Sequence, residues 1–321
     1  MSNPFQSLYD ACNTGDPTDK WRDLPDFPRI IDVELTNSCN FRCLMCPTGN
    51  HSQTRKTGFM SDSTWGALRR QTVAQDVGLR FIGWGEPLSH PRAVDIVDGF
   101  DGITHVNTNG SYLDAHMAFD LIDAGLSSIK FSFQGADRET YREMRNIDYF
   151  DDLYGKVKEM HWARGDDVLP YIHVSTTITR ETPDMVRAFR EKFEPVCDRV
   201  SVGRTTFDFM DLKAARLRPG ELAMLERLAK EDTTVKHHPD PCPEVYDKLS
   251  VHWDGSVHVC CNDFDNQTDL GNINDRPLSE IWRHEVIEMY RERLAKRDYS
   301  LPLCRDCYDY AETTKKGVQA V

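Results

Sequence analysis

Between residues 29 and about 205, short apolar runs alternate with amphipathic stretches. The runs are Ile30–Leu35, Leu79–Gly83, Thr104–Asn107, Ser128–Phe133, Tyr171–Thr177 and Val200–Val202. Several are rich in β-branched residues and bounded by polar or glycine turns, which predicts six strands. Between them, His116–Ala124 carries Met117, Leu121 and Ile122 at helical spacing, with Gly125 placed as a C-terminal cap. Ser61 is placed to N-cap a helix that holds Trp65 and Leu68. Strand–helix alternation of this kind predicts parallel βαβ units and an α/β fold. Six strands fall short of a closed eight-stranded barrel and leave an open barrel or a doubly wound sheet. In either, chemistry belongs at the C-terminal ends of the strands.

After residue 205 the pattern changes. Asp211 to Asp232 reads as a connecting helix, with Leu222, Leu225 and Leu228 on one side. Leu249–Trp253 and Ser256–Val259 flank Asp254-Gly255, a strong hairpin signal. Leu278–Leu294 predicts one helix with Ile281, Trp282, Val286, Tyr290 and Leu294 on its apolar face, and the charge run Arg291–Arg297 on its wet face. The expected division is an N-terminal extension (1–28), a barrel (29–210), a connecting helix (211–235), a small α+β domain (236–312) and a frayed tail (313–321). Internal repeats and low-complexity segments are absent from the sequence.

The 321 residues, 39% of them apolar, suffice for one large domain and a small one. The net charge of −13 is spread along the chain. With no basic cluster to meet phosphates, nucleic acid is not an expected partner. Charged residues or glycine interrupt every apolar stretch, and Met1–Asp10 has no signal-peptide character, so a cytoplasmic protein with no membrane association is expected. In that setting ten cysteines point to metal or redox chemistry and not to disulfides. Cys39, Cys43 and Cys46 form one group. Cys242, Cys260, Cys304 and Cys307 form another. Cys12, Cys197 and Cys261 are left over.

Three thiolates close together can hold three irons of a 4Fe-4S cube and leave the fourth iron open to a ligand. A zinc site completed by His51 is the competing reading, although zinc prefers two close pairs of ligands. The second group suits a fully ligated 4Fe-4S cluster or a structural zinc, and spacing alone does not separate these. If the hairpin strand runs on through Cys261, Cys260 and Cys261 point to opposite faces. Cys261 is then either a buried small residue or a reactive thiol. Cys12 and Cys197 read as structural, and His237-His238 as part of a solvated loop.

The spacing Cys39-x3-Cys43-x2-Cys46, directly after the first strand, resembles that of the radical S-adenosylmethionine (SAM) superfamily. Further similarities follow in order: Gly83-Trp84-Gly85-Glu86-Pro87 at the end of the second strand, Thr108-Asn109-Gly110 at the third, Lys130–Gly135 at the fourth, and Arg145. Two departures are Met45, where an aromatic is common, and Trp84, which interrupts a glycine pair. The resemblance implies a partial (βα)6 TIM-like barrel and a SAM-binding 4Fe-4S cluster on Cys39, Cys43 and Cys46. It also implies SAM contacts from Gly85, Glu86, Asn109, Ser132 and Arg145. The implied chemistry is reductive cleavage of SAM and abstraction of a hydrogen atom from a C–H bond. Gly255-x4-Cys260, Leu270–Ile273 and Ile281-Trp282 resemble the C-terminal SPASM and twitch domains of that superfamily. This similarity implies a second 4Fe-4S cluster on Cys242, Cys260, Cys304 and Cys307. The chain looks like the aminoglycoside-pathway dehydrogenase and epimerase group. That implies natural-product biosynthesis: oxidation or epimerisation at a carbinol carbon of a sugar, aminocyclitol or aminoglycoside. Cys261 is then a candidate catalytic residue, and flavodoxin or ferredoxin a reducing partner. Peptide modification, carbon–carbon coupling, and a non-enzymatic iron–sulfur or zinc module for binding or electron transfer are the alternatives.

Overall fold

A computed structural model of the protein describes residues 3–12, 14–205, 207, 213–231 and 242–307. The chain opens with helices α1 (Gln6–Cys12) and α2 (Pro17–Arg22), then enters strand β1 (Ile30–Val33). Five strand–helix units follow: α3 (Asp62–Thr72), β2 (Gly78–Phe81), α4 (Ala93–Asp98), β3 (Thr104–Thr108), α5 (Ala115–Asp123), β4 (Ser128–Gln134), α6 (Arg138–Arg145), α7 (Phe150–Arg164), β5 (Tyr171–Ile178), α8 (Pro183–Phe193) and β6 (Arg199–Arg204). The six expected strands are present and parallel. They lie side by side in the order β6-β5-β4-β3-β2-β1, with no reversal of direction across the sheet. A doubly wound sheet requires such a reversal. The fold is therefore the open (βα)6 barrel.

Alternation along the strands decides which residues face the helices. Ile31, Val33, Leu79, Phe81, Val106, Ile129, Phe131, Ile172 and Val174 join Leu68, Leu121, Leu153, Val157 and Phe189 from the helices in one core. The opposite positions are polar. Register places Asp32 beside Arg80 and Arg80 beside His105; it also places Asn107 beside Lys130 and Lys130 beside His173. These side chains line the barrel interior. Ser61 caps α3 as expected, accepting from Thr64 N at 3.1 Å. Gly125 ends α5 in the left-handed region, φ +76°, a conformation a side chain would strain.

The N-terminal extension closes the lower end of the barrel. Phe5 and Cys12 are fully buried against Ile30. Tyr9 accepts from Arg80 Nη1 at 2.8 Å, and Phe5 packs on the His105 ring with centroids 5.5 Å apart.

Beyond β6 the described chain continues in α9 (Pro219–Glu231), α10 (Pro243–Tyr246), β7 (Lys248–Val251), β8 (Ser256–His258), β9 (Asp269–Asn272), α11 (Leu278–Ile281), α12 (Glu285–Ala295) and α13 (Cys304–Cys307). The Asp254-Gly255 hairpin is present, with β7 and β8 antiparallel. Strand β7 also pairs in parallel with β1, so barrel and hairpin share one nine-stranded sheet. The connecting helix begins at Pro219, later than the expected Asp211, since residues 213–218 form a turn and irregular chain; residues 211–212 and 232–235, His237-His238 and the tail lie outside the described residues.

Two expectations are corrected. The single helix over 278–294 is two, broken before His284, whose ring accepts from Val286 N to cap α12. Arg291 does not lie on a wet face. It is fully buried, with its guanidinium 4.0 Å from the Trp282 ring centroid and donating to the carbonyls of Val245 and Trp282, each at 2.7 Å. The bond to Trp282 satisfies a carbonyl that the helix break leaves open, and the bond to Val245 one in the short helix α10. Among the described residues no helix is long and apolar enough to cross a membrane.

Candidate functional site

The first cysteine loop leaves the C-terminal end of β1 and winds tightly. A Cβ at Gly49 would stand 2.3 Å from the Cys43 carbonyl oxygen, so only glycine fits there. Backbone and side-chain donors aim at the sulfurs. Phe41 N is 3.5 Å and Asn109 Nδ2 3.7 Å from Cys39 Sγ, and Arg145 Nη1 is 3.4 Å from Cys43 Sγ. Burial pushes the Cys39 thiol up to about 12 and that of Cys46 up to about 11. Without a cation to hold them as thiolates these sulfurs stay protonated; bound metal reverses that.

A cavity of about 250 Å³ opens beside this loop. It brings together all three cysteines and every residue expected to contact SAM: Gly85, Glu86, Asn109, Ser132 and Arg145. The pieces arrive from the ends of β2, β3 and β4 and from the last turn of α6. Glu86 is buried and accepts from Leu88 N (3.1 Å), Thr108 Oγ1 (2.7 Å) and Asn109 N (2.7 Å), locking two strand ends together. Burial lifts its carboxyl to about 7 despite these bonds. The Arg145 guanidinium donates to the Ser132 carbonyl at 2.6 Å, while its buried Nε has no partner. Burial works against that charge, yet Cys43 holds the guanidinium firmly protonated. A buried cation with a free donor beside three sulfurs suits a carboxylate ligand.

Trp84 links this cavity to the second cysteine group. It lines the cavity, and its Nε1 donates to the Cys261 carbonyl at 3.1 Å. Its ring meets Phe264 edge-on at 5.5 Å, and its backbone N donates to Glu34 Oε2 at 3.2 Å. Glu34 is buried in a bidentate pair with Arg55, both bonds 2.8 Å. Burial disfavours the Glu34 charge, but His252 and Arg55 keep its carboxyl below the usual range.

In the second group Cys242 lies near Cys304 and Cys307, and Cys260 near Cys242. Asn262 N donates to Cys260 Sγ at 3.4 Å. Burial raises the thiols of Cys242 and Cys304, the latter to about 11. The sulfur spacing bears on zinc. A tetrahedral zinc, with Zn–S about 2.3 Å, sets thiolates ~3.8 Å apart. Among the described residues the trio of donors within 4.8 Å of one another is Glu244, Cys260 and Cys261, and neither cysteine set supplies three such sulfurs. His51 lies exposed on its loop.

Cys261 departs from expectation. Strand β8 ends at His258, so alternation does not carry through, and the two sulfurs lie together instead of on opposite faces. Cys261 also favours the charged forms of Arg80 and Lys130. Cys12 is buried with α1, and Cys197 donates to the Phe193 carbonyl at 3.2 Å.

Sequence reasoning missed Glu244, Lys130 and the Trp84 bridge. Lys130 was open to discovery, since Ser128, Lys130, Ser132 and Gln134 alternate with apolar residues. Glu244 had only its i,i+4 relation to Lys248, with which it pairs at 2.8 Å.

Comparison with known proteins agrees with this arrangement. Residues 33–193 match the model of the radical SAM superfamily, and residues 242–308 match that of the SPASM iron-sulfur cluster-binding domain. The chain belongs to the radical SAM superfamily. SAM, a 4Fe-4S cluster and auxiliary iron–sulfur binding follow from that membership. The chain is 29% identical over 160 residues to the probable GTP 3′,8-cyclase of Methanopyrus kandleri, covering 48% of this chain and 49% of that protein. It spans half or less of the length of the first curated relatives it matches. Similar solved structures include Streptococcus suis SuiB bound to S-adenosylmethionine, with TM-score 0.65, 15% identity, and 91% of this chain and 74% of that one covered. BtrN in complex with AdoMet and 2-DOIA gives TM-score 0.51 and 16% identity, with 84% and 88% covered. At these identities the likeness concerns the fold alone.

Proposed function

We propose that this enzyme inverts a carbinol carbon of a small hydroxylated substrate held in the barrel interior, with Cys261 as the hydrogen-atom donor. The position of the Cys261 sulfur carries the reading. It lies with Glu244, the partner of Lys248, the Cys261 backbone is held by Trp84 of the SAM cavity at 3.1 Å, and the sulfur is spare to the four-thiolate set. When bound, the first cluster and SAM supply a 5′-deoxyadenosyl radical able to take a hydrogen atom from an unactivated C–H bond.

The chain's own residues then have distinct tasks. Cys39, Cys43 and Cys46 hold the cluster. The free Nε of Arg145 receives the SAM carboxylate, with Ser132 and Asn109 beside it, and Gly85 and Glu86 shape the wall that takes the amino group. Polar side chains of β1 to β5 orient the substrate below them. Cys261 gives its S–H hydrogen to the carbon radical from the other face: the S–H bond breaks and a C–H bond forms with inversion. The sulfur radical left behind takes one electron and one proton, the electron from a flavodoxin- or ferredoxin-type reductant. Two reducing electrons are thus consumed per SAM.

Oxidation is the second reading, supported by the position of Cys260 next to Cys261. There an auxiliary cluster would accept the substrate's electron, and no net reductant would be consumed.

Anaerobic reconstitution should give about eight irons per chain, two cubanes. Reduction with SAM should release 5′-deoxyadenosine, and Cys43→Ala should abolish it. Turnover in D2O separates the outcomes. Inversion places one solvent deuterium in the product, and Cys261→Ala loses that product while SAM cleavage continues. A ketone without deuterium, unchanged by Cys261→Ala, removes Cys261 from the mechanism.

A further inference from the structure

Apart from Arg145 and Glu86 at the SAM cavity, the charges of the described residues that line the barrel interior are paired with one exception. Arg80 grips Asp32 through both carboxylate oxygens and also donates to Tyr9. Lys248 holds Glu244, and Arg55 holds Glu34. The two histidines at this level are neutral. His105 is bonded to Ser128 Oγ at 2.9 Å and Asn107 Oδ1 at 2.7 Å, and His173 to Ser201 Oγ at 2.7 Å. Burial first, and Lys130 next, push both imidazoles below their ordinary range.

Lys130 is the exception. It stands in the middle of β4, two residues before Ser132 of the SAM cavity, between Asn107 and His173 on the neighbouring strands. Among the described residues its ammonium makes no hydrogen bond or ion pair. Lys130 is half-buried in the barrel wall, and a partly desolvated ammonium without a counter-ion gains from an anion that completes the pair. Around it three ion pairs cancel and the histidines are neutral, and Cys261 also favours its charged form. Burial, with Arg80 adding to it, lowers its ammonium to about 8, still largely charged at neutral pH.

We propose that Lys130 receives an anionic group of the substrate, a carboxylate or a phosphate, so that the enzyme takes acidic sugars in preference to aminocyclitols. This rests on the reading that the barrel interior holds the substrate. It does not depend on what Cys261 does. An ammonium-bearing substrate would meet Lys130 with like charge, while a carboxylate or phosphate would complete the unpaired site and leave Asp32–Arg80 intact.

The test is equilibrium binding to anaerobically reconstituted enzyme saturated with SAM, using D-glucuronate, D-glucose 6-phosphate, D-glucose and D-glucosamine. At least one acid should bind roughly ten- to a hundredfold tighter than glucose, with glucosamine weakest, and the two acids tell carboxylate from phosphate. Lys130→Met should erase the preference, Lys130→Arg should keep it, and both should bind SAM alone as the parent does. Glucosamine or glucose binding as tightly as both acids, or no binding by either acid, would overturn the proposal. So would a preference that survives Lys130→Met. Loss of SAM binding in Lys130→Met would assign the lysine to the SAM carboxylate instead. Cys261→Ala should leave the binding order untouched, so failure of the hydrogen-donor reading would be seen separately.

Discussion

Two glycines decide where the loop after β2 can lie. A Cβ on Gly85 would stand 2.2 Å from the Thr36 carbonyl oxygen, and one on Gly83 2.6 Å from Glu34 Cγ. Gly85→Ala must therefore push Glu86 and Trp84 out of place. SAM affinity should fall roughly tenfold or more with iron content unchanged, as read by equilibrium binding; parent-like affinity would show that the loop yields. A different residue governs acid stability. His252 is buried and held at about 4, by burial first, so the folded state resists its protonation while the unfolded chain accepts it below about 6.5. Its contribution is neutral above pH 6.5 and turns destabilising as pH falls, by about 2 kcal/mol at pH 5. His252→Gln should narrow the gap between denaturation midpoints at pH 7.5 and pH 5, and an unchanged gap would place the acid sensitivity elsewhere. At this scale the sequence was readable where meaning is local. Three cysteines spaced in one loop announce a cluster. Arg291 and Lys130 do not announce themselves, because one takes its meaning from Trp282 and the other from having no counter-ion on the two strands beside it.

Element boundaries were harder to read than elements. All six barrel strands followed from apolar runs and their turns, and the Asp254-Gly255 hairpin from its dipeptide. Where β8 stops did not. The apolar pattern runs on to Val259, yet pairing ends at His258, and that one feature turns Cys260 and Cys261 from opposed to adjacent. The break between α11 and α12 was hidden for a related reason, since its carbonyls are satisfied by an arginine nine residues on from Trp282. The loop after β2 carries the contact that couples the two cysteine regions, through Trp84 Nε1 and the Cys261 carbonyl. Trp84→Phe keeps an aromatic ring and removes that donor. SAM cleavage should persist, while the deuterated, inverted product falls several-fold relative to 5′-deoxyadenosine; a constant ratio would mean the bond does not position Cys261.

The whole molecule is tied together from its N-terminus. Phe5 plugs the foot of the barrel, Trp21 Nε1 donates to Glu288 of α12 at 3.0 Å, and Trp282 Nε1 donates to the Pro25 carbonyl at 2.8 Å. The sequence gives no hint of these roles, because an extension with few apolar residues looks dispensable until its partners are seen. Phe5→Ala should cost about 3–5 kcal/mol of stability, measured by denaturation; a loss below 1 kcal/mol would mean the plug is not part of the core.

The pairing of β7 with β1 has a consequence for how the protein comes apart. Central strands of a continuous sheet are hard to separate, since each carries hydrogen bonds on both edges. Strand β1 sits between β2 and β7, and the first cluster loop hangs from its end. The barrel and the cysteine-bearing hairpin should therefore melt as one cooperative unit, with a single calorimetric transition. Stripping metal from the C-terminal cysteines would then lower the melting point of the barrel as well, making each half a sensor of the other's cluster.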